Sequence, residues 1–178
     1  GEVETARGLK FDHALTVEAL PVEEYVLKLA NRSLGITASN EDQLAATWRS
    51  LGVLNGVYNA NLVGLAAFAD APAFYDPGNE TIFVAQGLPT ELYTFAMHRA
   101  LTLALLDQHY GFSGRASKGG LSVKVGTLSL YDADALATAA SLTDGVTRNT
   151  LLTQIFTLHT TYQIPASPSP YLSTIIGR

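Results

Sequence analysis

The sequence predicts an α+β fold in which helices predominate and a small β-hairpin lies beside a central helix. The stretch Thr90–Tyr110 is apolar on almost all sides between positions 100 and 106, which is typical of a buried helix. The stretch 73–84 contains the turn sequence Asp-Pro-Gly-Asn between two runs rich in aromatic and β-branched residues, a pattern that predicts a hairpin. Hydrophobic residues make up 47% of the chain and charged residues 15%, so we expect a folded core.

The elements before the hairpin are predicted from polarity and helix signals. Residues 1–12 are polar, and we expect them to be flexible. Residues 14–20 could form a short strand, and a helix should run from Pro21 to Gly35, because proline and the acidic residues after it suit a first turn. Apolar residues at helical spacing predict two further helices, over 39–52 and about 59–68.

After the central helix, the pattern is less regular. Gly111 should end that helix, residues 115–120 read as a loop, and 121–130 as a strand or an irregular connection. Asp132 is expected to cap a long helix that reaches position 158, with a weak point at Gly145. Prolines predict an extended tail over 164–178, and the length of 178 residues fits one domain, 1–178.

Composition excludes several classes of protein. The 11 Lys and Arg residues are scattered in a chain of net charge −5, so we expect no nucleic-acid partner. The absence of cysteine excludes disulfides, cysteine zinc sites and thiol catalysis. No apolar run is long enough to predict a membrane span. The sequence begins at Gly1 rather than Met, which we interpret as a trimmed start, compatible with removal of a leader.

The central helix contains the frame of a zinc-binding HExxH motif, but only its first residue. In that motif two histidines four residues apart coordinate one zinc ion, and the glutamate accepts a proton from the zinc-bound water. Here His98 is followed by Arg99 in place of the glutamate and by Thr102 in place of the second histidine. Taken alone, a single histidine on a buried helix is more often a hydrogen-bonded core residue than a metal ligand.

Three segments nevertheless resemble a bacterial metallopeptidase-like family of the zincin class, over about residues 45–160. FAMHRALTLALLDQHYGF is similar to that family's active-site helix, roughly HELTHALQDQHF. Upstream, LGVLNGVYNANLVGLAAFADAPAFYDPGNETIFV resembles its helix end, GFYDP turn and strand. Downstream, DALATAASLTDGVTRNTLL is similar to its second helix, ALvEGdAt, whose glutamate supplies the third zinc ligand and corresponds to Asp144.

The resemblance implies a zincin-like helical domain whose active site has been lost. The family pattern requires two histidines and one glutamate as ligands and a second glutamate as base. This chain keeps His98 and a shorter carboxylate at Asp144, with Arg99 and Thr102 at the other two positions. We therefore expect no catalytic residue and no zinc cofactor, since a catalytic zinc normally has three protein ligands. If any metal binds, we expect His98 and Asp144 to hold it. We further hypothesise that Arg99 pairs with Asp144 and replaces the charge of the metal.

Three functional hypotheses remain open from the sequence. The first is a pseudo-peptidase that has kept a groove and binds an extended peptide or a protein partner along the strand beside the central helix. The second is an active metal-dependent hydrolase with an unusual ligand set of His98, Asp144 and His159. The third is a structural module of a larger cell-surface protein. The resemblance also implies a bacterial protein outside the cytoplasm, secreted or membrane-anchored.

The polar residues at the end of the central helix are expected to serve the fold rather than the site. His109 lies about 16 Å along the helix from His98, so the two cannot share a metal ion. Asp107 and Gln108 should bond to neighbouring backbone groups.

Overall fold

A computed structural model describes residues 1–34, 50, 71–118, 121–145, 149–151, 153, 154 and 157. It confirms an α+β fold that is mainly helical with a small mixed sheet. Apart from Ser50, the predicted helices over 39–52 and 59–68 lie outside the described residues, as do His159 and the predicted tail over 164–178.

Eight complete elements follow one another along the described chain. The helices are α1 (Glu2–Arg7), α2 (Val22–Leu34), α3 (Thr90–Tyr110), α4 (Phe112–Lys118) and α5 (Leu121–Ser141). The strands are β1 (Thr16–Leu20), β2 (Ala73–Asp76) and β3 (Thr81–Ala85).

The three strands form one sheet in the order β1-β3-β2. β2 and β3 are antiparallel, with Phe74 opposite Phe83, so the predicted hairpin is confirmed. The turn between them is closed by the Asp76 carboxylate, which accepts hydrogen bonds of 3.0 Å from the Gly78 amide and from the Asn79 side chain. β1 is parallel to β3 and completes the sheet on the other side.

Helix α3 has the bounds that the sequence predicts and lies against the sheet. It ends at Gly111, whose φ of 57° is favourable for glycine, and the Gly111 amide donates to the Asp107 carbonyl at 2.7 Å. Small side chains on one face of the helix allow the sheet to approach closely. The buried cluster consists of Ala73, Tyr75, Ile82 and Val84 from the strands and Ala96, Met97, Ala100 and Ala104 from the helix.

The loop predicted for residues 115–118 and the strand or irregular connection predicted for 121–130 are wrong, because these residues are helical. Phe112 opens α4 directly after Gly111, and its ring stacks on Tyr131 of α5 with centroids 4.4 Å apart. Residues 121–130 belong to α5, so Asp132 lies inside this helix rather than capping it. The weak local pattern of 121–130 is overridden by packing, since α5 buries Ala135 and Ala139.

The long helix predicted from Asp132 to position 158 is interrupted at 142–144. Hydroxyl groups donate hydrogen bonds to carbonyls near the end of α5. Ser141 Oγ donates to the Thr138 carbonyl at 2.7 Å, and Thr143 Oγ1 donates to the Ala139 carbonyl at 2.9 Å. These side-chain bonds offer the backbone an alternative to the next helical turn. Asp144 is therefore non-helical and directly precedes Gly145, where the sequence predicts a weak point.

The polar start of the chain, expected to be flexible, contains the short helix α1. Its Arg7 guanidinium donates two hydrogen bonds to the Asp134 carboxylate of α5, at 2.9 and 2.6 Å. Gly8, with φ of 62°, ends the helix. A partner distant in the sequence thus orders a segment whose own composition predicts no stable helix.

The chain divides into two compact units, each built from two stretches. The first comprises Gly1–Leu20 and Pro72–Thr153 and holds the sheet with α1, α3, α4 and α5. The second comprises Pro21–Ala71 and Gln154–Arg178 and includes α2, whose Tyr25 hydroxyl donates to the Ala71 carbonyl at 2.5 Å. The assignment of one domain, 1–178, stays a prediction. Within the part of the chain that the structure describes, no helix combines the length and apolar character needed to cross a bilayer.

Candidate functional site

His98 lies on α3 and is 9% exposed. Its Nε2 is 3.0 Å from a carboxylate oxygen of Glu2, the first residue of α1. Its Nδ1 is buried and has no hydrogen-bond partner among the described residues. The His98 ring is enclosed, whereas the Glu2 side chain that faces it is 75% exposed and reaches solvent. The atom that would bind a metal therefore faces an acidic side chain from another helix.

Arg99 binds a carboxylate of α5, but a different one from that hypothesised. Its Nη2 donates to the two Asp132 carboxylate oxygens at 2.7 and 2.8 Å, and its Nε donates at 3.0 Å. The structure thus pairs Arg99 with Asp132, and the pairing of Arg99 with Asp144 stays a hypothesis. Asp132 lies inside α5, where the sequence predicted a cap, and this is why its role as a partner was missed.

Thr102 occupies the position of the second histidine and is completely buried. Its Oγ1 donates a 2.7 Å hydrogen bond to the His98 carbonyl one turn earlier in the same helix. The hydroxyl is thus satisfied by its own backbone. A side chain with this bond fills space beside His98.

Asp144, at the position of the third ligand, is exposed and lies just beyond α5. Of the four residues that the resemblance singles out, His98, Arg99 and Thr102 therefore lie on α3, and Asp144 lies outside a helix. Across the described residues, no group of three His, Cys, Asp or Glu side chains is arranged to hold a metal ion.

The side chains at the HExxH frame do not fit a catalytic zinc ion. They supply one imidazole, one guanidinium and one buried hydroxyl, whereas zinc sites use at least three nitrogen, sulfur or carboxylate donors. The guanidinium is a fixed positive charge and cannot serve as a base. Adding Glu2 brings the donors to two, which is still fewer than such a site needs.

A cavity of about 290 Å³, partly open to solvent, adjoins His98 and the first residues of α1. Apolar side chains from both sides line it, with Val3 and Phe11 from the start of the chain and Leu101 from α3. Sequence reasoning missed Glu2 and this cavity, since an acidic residue near the start of a polar segment carries no signal for a contact with His98.

The polar residues at the end of α3 hold the fold, as predicted. The Asp107 carboxylate accepts from the Ser113 amide at 2.9 Å, from the Ser113 hydroxyl at 2.8 Å and from the Tyr75 hydroxyl at 3.3 Å. Burial raises the pKa of Tyr75 well above its usual value, and the neighbouring Asp107 charge raises this pKa further. Gln108 accepts from the Asp12 amide at 2.9 Å. Asp107 thus joins β2, α3 and α4.

These contacts and the sequence resemblance are the observations that bear on function. No protein-family model, no curated protein and no solved structure matches this chain.

Proposed function

We propose that this protein is a catalytically inactive metallopeptidase-like domain that binds a peptide or protein partner. The observation that carries the proposal is the contact between His98 Nε2 and the Glu2 carboxylate, at 3.0 Å. The nitrogen that would bind zinc in an HExxH site here faces a carboxylate instead.

The two neighbouring positions support the same proposal. Hydrolysis by a zincin needs a metal that polarises the carbonyl and a base that accepts a proton from water. Arg99 stays protonated and is engaged with Asp132, and Thr102 bonds to the backbone of its own helix. Neither side chain supplies the missing chemistry.

An extended partner would add a strand at an edge of the sheet. β3 is the central strand, so β1 and β2 already pair with both of its edges. The first four residues of β1 are exposed, and Val17 is 48% exposed. An extended peptide that adds a strand to this sheet would therefore pair with the outer edge of β1 rather than with the hairpin strand β3.

A metal titration of the full chain, combined with a peptidase assay, tests the loss of activity. We expect no stoichiometric zinc by calorimetry and no cleavage of an unstructured protein substrate in the presence of added zinc. The His98→Ala variant should behave like the wild type in both assays. One zinc ion per chain that is lost in His98→Ala, together with zinc-dependent cleavage, would show that the protein is an active metal-dependent hydrolase.

A further inference from the structure

We infer that residues 1–13, here called the strap, are a detachable segment that masks the His98 side of α3. We further infer that a short helix of the same charge pattern, supplied by a partner, replaces the strap there. The inference rests on the proposed function in taking this protein as a domain that binds a partner, and it adds a surface beside His98 to the edge of β1.

The helical part of the strap is held by one charged contact near each end. At its start, the Glu2 carboxylate lies 3.0 Å from His98 Nε2. At its end, Arg7 makes a two-bond contact with the Asp134 carboxylate of α5. An acidic residue in the first turn and a basic residue in the last also suit the helix dipole.

Between these contacts the apolar packing is small. Val3 is the single buried residue of α1, at 3% exposed. Phe11 is partly buried against the core cluster, and a cavity of about 290 Å³, partly open to solvent, adjoins Val3, Phe11 and Leu101. Because the cavity is open on one side, the side chains that line it have fewer packing neighbours than those of a filled core.

The remainder of the strap is fastened by polar contacts to the end of α3 and to the hairpin turn. His109 Nε2 donates to the Lys10 carbonyl at 2.6 Å, and the Asp12 amide donates to the Gln108 side chain at 2.9 Å. His13 Nε2 lies 2.8 Å from the Glu80 carboxylate, with both side chains about half exposed. These contacts keep the strap near its site without burying it.

A segment attached in this way should open without unfolding the rest of its unit. A six-residue helix does not persist on its own in water. Partly exposed ion pairs add little stability, and segments with few buried apolar contacts open first. Opening would uncover the His98 imidazole and the Asp134 carboxylate, together with Leu101, which lines the same cavity as Val3. A short amphipathic helix with an acidic first turn and a basic last turn complements this surface.

Hydrogen exchange of the full chain tests whether the strap detaches. Arg7→Ala and Asp134→Asn each remove the two-bond contact at the end of α1. We expect amides of α1 to exchange about two- to fivefold faster than in the wild type, because a partly exposed ion pair has this strength. Amides of the hairpin 73–85 should be unchanged. The matched control Glu18→Gln alters one exposed carboxylate elsewhere and should leave α1 unchanged. Wild-type exchange of α1 in both variants would overturn the inference.

A labelled peptide of residues 1–13 tests whether the site accepts a helix in trans. Fluorescence anisotropy should show several-fold tighter binding to the Arg7→Ala chain than to the wild type, because the variant's own strap competes less well while Asp134 is intact. A peptide carrying Glu2→Gln should bind more weakly than the unchanged peptide. Equal binding by both chains, or no binding by either, would contradict exchange of the strap. Zinc bound through His98 would defeat the proposed function but not these results.

Discussion

Two stretches of helix α3 carry polar side chains that play different roles. At its C-terminal end, Asp107 bonds to groups from β2 and α4, and Gln108 bonds to the strap. In the middle, Thr102 bonds to its own helix. His98 contacts Glu2 through Nε2, and within the described part of the chain its Nδ1 has no partner.

The difference distinguishes polar residues that stabilise the fold from polar residues at positions where the family pattern predicts catalytic groups. Groups that join several elements are fully satisfied, because an unpaired buried group costs free energy. The Asp-Gln-His run at 107–109, which the chain shares with the family it resembles, belongs to the first kind. Two of the positions that depart from that family's pattern, Arg99 and Thr102, lie in the second stretch.

The largest expected effect is the loss of the Asp107 carboxylate. Asp107→Asn keeps one acceptor oxygen for the Ser113 amide but removes the charge and turns an NH2 donor toward the Ser113 and Tyr75 hydroxyls. We expect the free energy of unfolding in urea to fall by about 1.5–3 kcal/mol, the range for hydrogen bonds to charged groups. Thr102→Val is the comparison from the middle of the helix. This variant keeps the shape of the side chain and should cost less than about 1 kcal/mol, and an equal cost for both variants would remove the contrast between the two stretches.

A smaller effect is expected from Tyr75 at alkaline pH. Its pKa is raised in the folded state, so its contribution is fully present below the ordinary tyrosine pKa of about 10 and is lost as pH rises toward the folded value. The stability of the wild type relative to Tyr75→Phe should therefore fall by up to about 1.4 kcal/mol per pH unit above pH ~10. Tyr93→Phe, which changes an exposed tyrosine of α3, is the control. Parallel pH profiles for wild type and Tyr75→Phe would contradict this account.

The smallest expected effect concerns the partner of Arg99. A double-mutant cycle of Arg99→Met with Asp132→Asn should give a coupling of about 0.2–1 kcal/mol, decreasing in high salt, because the Arg99 and Asp132 side chains are 20% and 44% exposed. The same cycle with Asp144→Asn should give a coupling near zero. A larger coupling to Asp144 would restore the pairing that the sequence suggested.

The sequence by itself determined the elements whose signals are local. The bounds of α3 follow from an apolar run between Pro89 and Gly111, and the hairpin follows from the turn chemistry at Asp76. Such signals depend on neighbours within a few residues, so the sequence predicts these elements without knowledge of the fold. The structural role of Asp107 was also predicted from its place at the end of a helix.

Only the tertiary structure decided which side chains meet. Residues 121–130 are helical because α5 packs on α3 and α4, despite a weak local pattern. Arg99 binds Asp132 and His98 faces Glu2 because the packing of three helices brings together residues that are distant in the chain. Contacts between distant residues depend on how whole elements pack, and the spacing of residues within any one element does not encode them.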